Sequence, residues 1–304
     1  MVFNISKKSI NQEIKLHKKT GVRLFIKRED QIHEFVSGNK YRKLKYNIME
    51  AGRQGFKTIL SFGGAYSNHI AAVAAAGQLF GLKTIGVIRG DELEAKIQNN
   101  PTLQFAQHCG MQFKFVSRSD YRLKSTPEFI NSLHTEFGNS YIVPEGGTNH
   151  LAVKGCKEIL NDDDFDFDYV CCAVGTGGTI SGLINCSKPG QQVLGFPALK
   201  GDFLQQDISK FANKTNWKLV TDYHFGGYAK INTALVKFIN NFKKEQDIPL
   251  DPVYTGKMMY GVFNLIAQGY FPKGSKILTI HTGGLQGILG MNMVLKKKNL
   301  PIIE

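Results

Sequence analysis

The sequence predicts an α/β fold: two open, mostly parallel twisted sheets covered by helices. Short β-type runs alternate with longer helical patterns along all 304 residues. Glycine-rich turns follow several of those runs, and the 32 glycines obey no collagen-like period. No repeat, low-complexity stretch or long linker breaks the alternation. Strands separated by helices imply parallel pairing, right-handed crossovers and sheets covered on both faces. Two successive series imply two lobes with a cleft between them. Residues 1–45 with 151–304 are expected to form the larger lobe, and 46–150 a smaller one inserted in it.

The first series opens with the β-rich run 22–27 (VRLFIK), preceded by a weaker strand candidate at 14–16. A helix follows over 41–51, with Leu44, Ile48 and Met49 near one face. Then come strand 58–62 (TILSF), a glycine pair, an Ala-rich helix over 68–80 and strand 84–88. Residues 93–107 read as helical but interrupted by Pro101. Strand 112–116, a helix around 127–137 and strand 141–143 complete this block. The second series runs through helix 151–160, strand 169–174, strand 192–196, segments 202–212 and 217–220, helices 230–243 and 256–268, and strand 276–280.

A hydrophobic share of 42% and a charged share of 21% exclude disorder and a fibrous build. No apolar run is long enough to cross a bilayer, and the polar start at 1–11 lacks a signal-peptide core, so a soluble cytoplasmic protein is expected. The 38 basic against 25 acidic residues give a formal charge of +13, which invites a nucleic-acid reading. The lysines, though, are scattered in small groups (7–8, 18–19, 296–298), an acidic run at 162–168 interrupts them, and no nucleic-acid motif is present. No nucleic-acid partner is therefore expected. Five cysteines without a CxxC pair fit a reducing compartment and no metal site, with Cys171 and Cys172 as core packing.

Three glycine turns follow strands. Gly175-Thr176-Gly177-Gly178-Thr179 lies between a buried run and a helix, where free N–H groups and the helix dipole suit a phosphate. It matches neither the Walker pattern nor the dinucleotide fingerprint, so a plain tight turn is as good a reading. Gly63-Gly64-Ala65-Tyr66-Ser67-Asn68-His69 puts Ser67 and Asn68 at a helix start, as ordinary caps or as donors to a substrate carboxylate. The third turn is His281-Thr282-Gly283-Gly284, where a packed His281 is the simpler reading.

The motifs IKRED (26–30), GNKxRKL (38–44), GGxxSNH (63–69), GTGGT (175–179), DPVYTGK (251–257) and IHTGG (280–284) occur in that order. Together they resemble the aminocyclopropane-carboxylate deaminase / D-cysteine desulfhydrase family, pyridoxal-phosphate enzymes of fold type II, along nearly the whole chain. The resemblance implies pyridoxal 5'-phosphate as cofactor, bound in the larger lobe, with Lys40 as its Schiff-base lysine. It implies that Lys43 reaches the cofactor phosphate, that Gly175, Thr176, Gly177, Gly178 and Thr179 hold it, that Asn68 meets the phenolic oxygen and that Thr282 stands beside the pyridine nitrogen. Ser67, Asn68 and His69 would contact a small amino-acid substrate, with Lys40, Ser67, Tyr228 and Tyr254 catalytic. A homodimer is also implied.

Ring-opening deaminases of the family carry glutamate and leucine where this chain has Thr255 and Thr282, so β-elimination from an amino acid such as D-cysteine is expected ahead of ring opening. Ser37 and Tyr66 stand where the family has glycine and glutamine, which alters the pocket wall. Alternatives are a cofactor-binding protein without turnover and a serine/threonine dehydratase or cysteine-synthase relative.

Overall fold

The computed structural model describes residues 7–16 and 20–304; residues 1–6 and 17–19, the latter including the pair Lys18–Lys19, lie outside the described residues. Among the described residues, ten strands form two sheets. The larger contains β1 (Asn11–Ile14), β2 (Arg23–Lys27), β7 (Tyr169–Val174), β8 (Gln192–Pro197), β9 (Trp217–Leu219) and β10 (Lys276–Ile280), in the order β1-β2-β10-β7-β8-β9. The smaller contains β3 (Thr58–Gly63), β4 (Lys83–Arg89), β5 (Gln112–Val116) and β6 (Tyr141–Val143), in the order β5-β4-β3-β6. All pairs are parallel except β1 with β2. Both sheets are covered on two faces, which is why β7 reads YVCCAV with Cys171 and Cys172 fully buried.

On the larger sheet, α8 (Thr233–Gln246), α9 (Thr255–Ala267) and α10 (Gly287–Lys297) cover one face. On its other face lie α5 (His150–Cys156), α6 (Gly178–Cys186) and α7 (Phe203–Ser209). The smaller sheet carries α1 (Asn39–Arg53), α2 (Asn68–Phe80) and α3 (Pro101–His108) on one face and α4 (Pro127–Phe137) on the other. The buried residues Tyr41, Leu44, Ile48 and Ala51 of α1 join the smaller sheet's core on both sides of position 45.

Several boundaries move for local reasons. The 93–107 pattern splits into a 3-10 helix (Asp91–Asn99) and α3, because the Asn100 side chain accepts from Thr102 and Leu103 N–H ahead of Pro101. The helix expected from 230 begins at Thr233, where Asn232 caps the Leu235 N–H, and runs to Gln246. The helix expected over 151–160 ends at Cys156 and continues as a 3-10 turn. The early strand is Asn11–Ile14 rather than 14–16, an antiparallel edge on β2. Helix α10 had no counterpart in the sequence reading.

Candidate active site

The suggestive segments leave their strands at the carboxyl ends, where parallel sheets place ligand clefts. After β2, every charge of IKRED finds a partner. Lys27 meets Asp164 at 2.7 Å, Arg28 meets Asp30 at 2.8 Å, and Glu29 takes Arg42 of α1 through two bonds of 2.8 and 3.0 Å. All six groups are buried, so the motif is a scaffold that ties β2 to α1. Gly38 then turns at φ 60°, where an added Cβ would stand 2.0 Å from the Thr282 carbonyl. The start of α1 thereby reaches the turn after β10, sealed by Asn39 N–H to Thr282 O at 3.3 Å.

One cavity collects Lys40, Lys43, Asn68, Gly175, Thr176, Gly177, Thr179, Tyr254 and Thr282. Burial, then the neighbouring charge of Lys43, lowers the Lys40 amine to about 7. A large share of it is therefore unprotonated and nucleophilic at neutral pH. Lys43 is 2% exposed, and burial lowers its pKa as well. Its Nζ donates to Gly146 O at 2.9 Å, Thr148 Oγ1 at 3.0 Å and Thr176 Oγ1 at 3.4 Å, all neutral oxygens. Among the described residues, no backbone N–H from Gly175 to Thr179 donates to a backbone carbonyl. A buried cation without an acid partner thus faces unclaimed N–H groups at the start of α6, and an anion would satisfy both. Glycine is required there: Gly177 sits at φ 81°, and a Cβ on Gly178 would lie 2.7 Å from Thr148 Oγ1. Gly178 itself stands behind the wall, in the first turn of α6.

Ser67 caps α2, its Oγ accepting the Ile70 N–H at 3.3 Å, and sits beside Asn68 just outside the cavity wall. The Asn68 side-chain oxygen accepts from Gln286 at 3.0 Å. His69, expected to touch substrate, turns away from the cavity and is 2% exposed. Ser61 Oγ donates to Val143 O at 2.8 Å and stands 2.8 Å from His69 Nε2, so the ring nitrogen is the donor of that pair. Burial, with Lys40 and Lys43 nearby, holds His69 well below its usual pKa and hence neutral. It backs the site from beneath Gly147, because α2 points its second residue at β3. His281 is fully buried, with Nε2 2.7 Å from Pro249 O.

At the other wall, the buried Asp251 carboxylate accepts the N–H groups of Val253 and Tyr254 at 2.9 Å and of Thr255 at 2.7 Å, which fixes the start of α9. Thr255 Oγ1 also bonds Asp251, at 2.7 Å, so of the two discriminating threonines only Thr282 lines the cavity. The Tyr254 ring meets Tyr228 edge-on at 6.3 Å, and burial keeps its phenol well above the usual pKa. Tyr228 contributes no surface to the cavity itself and reaches it through Tyr254. Ser37 lines the cavity, whereas the Tyr66 ring packs where a Cβ on Gly290 would clash, against α10.

Sequence reasoning gave no role to Asn39, whose side chain bonds Thr179 Oγ1 at 2.8 Å, or to Asp251, although both lay inside quoted motifs. Gln286 and Thr148 had no local signal, since only the fold brings them to Asn68 and Lys43.

Residues 9–283 match the family model described as "Pyridoxal-phosphate dependent enzyme". A putative 1-aminocyclopropane-1-carboxylate deaminase of Pyrococcus horikoshii is 30% identical over 289 residues, 90% of this chain and 87% of that protein. The mitochondrial bifunctional D-cysteine desulfhydrase/1-aminocyclopropane-1-carboxylate deaminase of Arabidopsis thaliana is 32% identical over 299 residues, covering 88% and 74%. A crystal structure described as an ACC deaminase homologue superposes with a TM-score of 0.85 at 27% identity, covering 97% of this chain and 95% of that one.

Proposed function

The chain belongs to the pyridoxal-phosphate-dependent enzymes, in the aminocyclopropane-carboxylate deaminase / D-cysteine desulfhydrase family, and from that premise we propose that it eliminates the β-substituent of a small amino acid and releases its nitrogen as ammonia. With D-cysteine and water the products are pyruvate, ammonia and sulfide. Pyridoxal 5'-phosphate is the cofactor. The buried Lys43 ammonium, bonded to three neutral oxygens, and the open N–H groups of 175–179 suit its phosphate. The observation that carries the reading is the Lys40 amine, lowered to about 7, in the same cavity as that anion cradle.

The cofactor, when bound, supplies an electron sink for the pair left by the broken substrate bond. The protein's part is to hold and move protons. Lys40 has the pKa of a base that takes a proton from the substrate Cα near neutral pH. Lys43 and the 175–179 loop would hold the phosphate, Asn68 would meet the ring oxygen, and Thr282 would offer the pyridine nitrogen a neutral hydroxyl. Ser67 and the open N–H groups at the start of α2 receive the substrate carboxylate. Tyr254, kept protonated by burial, is suited to protonate a leaving sulfur, and Tyr228 orients it.

Ring opening of aminocyclopropane-carboxylate is the second reading, favoured by the names of the Pyrococcus and Arabidopsis relatives. The test is a panel of D- and L-amino acids plus aminocyclopropane-carboxylate, scored for ammonia and keto acid. Turnover of D-cysteine with sulfide release is expected. Lys40→Ala should lose both turnover and the visible absorption band of the bound cofactor; turnover persisting in that variant would sink the assignment.

The enzyme works in the cytosol as a homodimer, for which sedimentation would read twice the 33.9 kDa chain mass. Segments 1–45 with 151–304 act as the cofactor lobe and 46–150 as the smaller lobe, α1 being the joint. Among the described residues no helix is long and apolar enough to cross a membrane.

A further inference from the structure

Resting on the role given above to both tyrosines, we propose that Lys257 is a positioning residue whose side chain clamps the turn at 224–229 and so seats Tyr228 against Tyr254. Lys257 lies on the first turn of α9, three residues after Tyr254, and is 2% exposed. Its Nζ donates to His224 O at 2.9 Å and Gly227 O at 2.8 Å. Burial lowers the amine to about 8, which leaves it mostly cationic at neutral pH. A buried cation is costly unless hydrogen-bonded, and this one places both of these bonds on a single turn.

The turn has reason to need holding. Phe225, Gly226, Gly227 and Ala229 all have positive φ, at 54, 91, 119 and 54°, and two of the four are not glycine. Its own bonds are internal: Gly226 N–H to His224 Nδ1 at 2.9 Å, Gly227 N–H to His224 O at 3.0 Å, and Lys230 N–H to Gly227 O at 3.2 Å. They curl the chain without tying it to α9; Phe225 packs edge-on against Tyr260 of that helix at 5.0 Å, and the Lys257 ammonium adds the polar tie. Tyr228 lies in the middle of this turn and is 44% exposed, so its hydroxyl and ring contacts with Tyr254 depend on where the turn is held. One helix therefore presents Tyr254 from its start and fixes Tyr228 through its first turn.

The simpler alternative is a buried lysine that serves stability only, and a double-mutant cycle separates the two. In the holoenzyme, Lys257→Met removes the donors at similar length. Backbone hydrogen exchange over 221–232 is expected to rise about tenfold or more, with exchange over 175–180 and cofactor absorbance unchanged. The kcat/KM for the substrate the wild type turns over best in the panel is expected to fall about tenfold or more. Combined with Tyr228→Phe, it should fall less than about twofold beyond Tyr228→Phe alone. Unchanged exchange, or losses that multiply, would overturn the clamp. Faster exchange together with full activity in Tyr228→Phe would uphold the clamp and remove Tyr228 from the proposed mechanism. Should Lys257→Met fail to fold, Lys257→Gln keeps a shorter donor and should loosen the same segment to a lesser degree; no loosening there also refutes the idea.

Discussion

At neutral pH the amine of Lys40 is poised between its two protonation states, because burial and the charge of Lys43 lower it to about 7. In the unfolded chain the same amine titrates at about 10.4. Below pH 7 both states carry the proton, and the folded state bears the full cost of a buried charge. Between about 7 and 10.4 the folded state sheds its proton first, so the penalty fades as pH rises. The cofactor-free Lys40→Met variant should therefore melt higher than cofactor-free wild type at pH 6, with the gap closing toward pH 10. Differential scanning calorimetry across that range checks it; a gap that widens with pH would contradict the assignment. Lys43, buried among neutral oxygens, adds to the same strain until an anion arrives.

Helix α1 carries Lys40 and Lys43, so whatever seats it aims both amines. Its outer contact is α5, which comes so close that a Cβ on Gly155 would stand 1.9 Å from the Arg42 carbonyl. Helix propensity alone favours alanine over glycine by about 1 kcal/mol. A contact with backbone has no side chain to swing aside, and overpacking of this kind costs about 1–3 kcal/mol or more, so the clash wins. Gly155→Ala is expected to lower the melting temperature by several degrees and to weaken cofactor binding, read by thermal denaturation and by absorbance titration. The buried Glu29–Arg42 pair anchors the other side of the helix at 2.8 and 3.0 Å. Its value is orientation of α1, since buried pairs often return little net stability.

On the scale of the molecule, the groups proposed to hold the cofactor come from both sheets. Asn68 follows β3 of the smaller one, while the 175–179 loop and Thr282 follow β7 and β10 of the larger. A ligand held from both sides ties them together and stabilises the fold by mass action, about 4 kcal/mol at a thousandfold excess over Kd. Stripping the cofactor should lower the melting temperature by several degrees and speed hydrogen exchange at 63–69 and 175–180 together. Faster exchange at 175–180 alone would show that the smaller sheet does not take part in binding.

The order of strands and helices, the buried β7 run and the glycine turns were legible from sequence, because period and turn chemistry are local properties. So were Lys40, Lys43, Asn68, Thr282 and Tyr254 as members of one cavity, through motifs whose order survives without coordinates. Tertiary structure decided the rest. It turned His69 toward Ser61, brought Gln286 to Asn68, and bound Lys257 to the turn at 224–229. Which way a side chain faces at a helix start, and which distant carbonyl or hydroxyl it meets, depends on packing between segments up to 218 residues apart. No window of neighbouring residues contains that information.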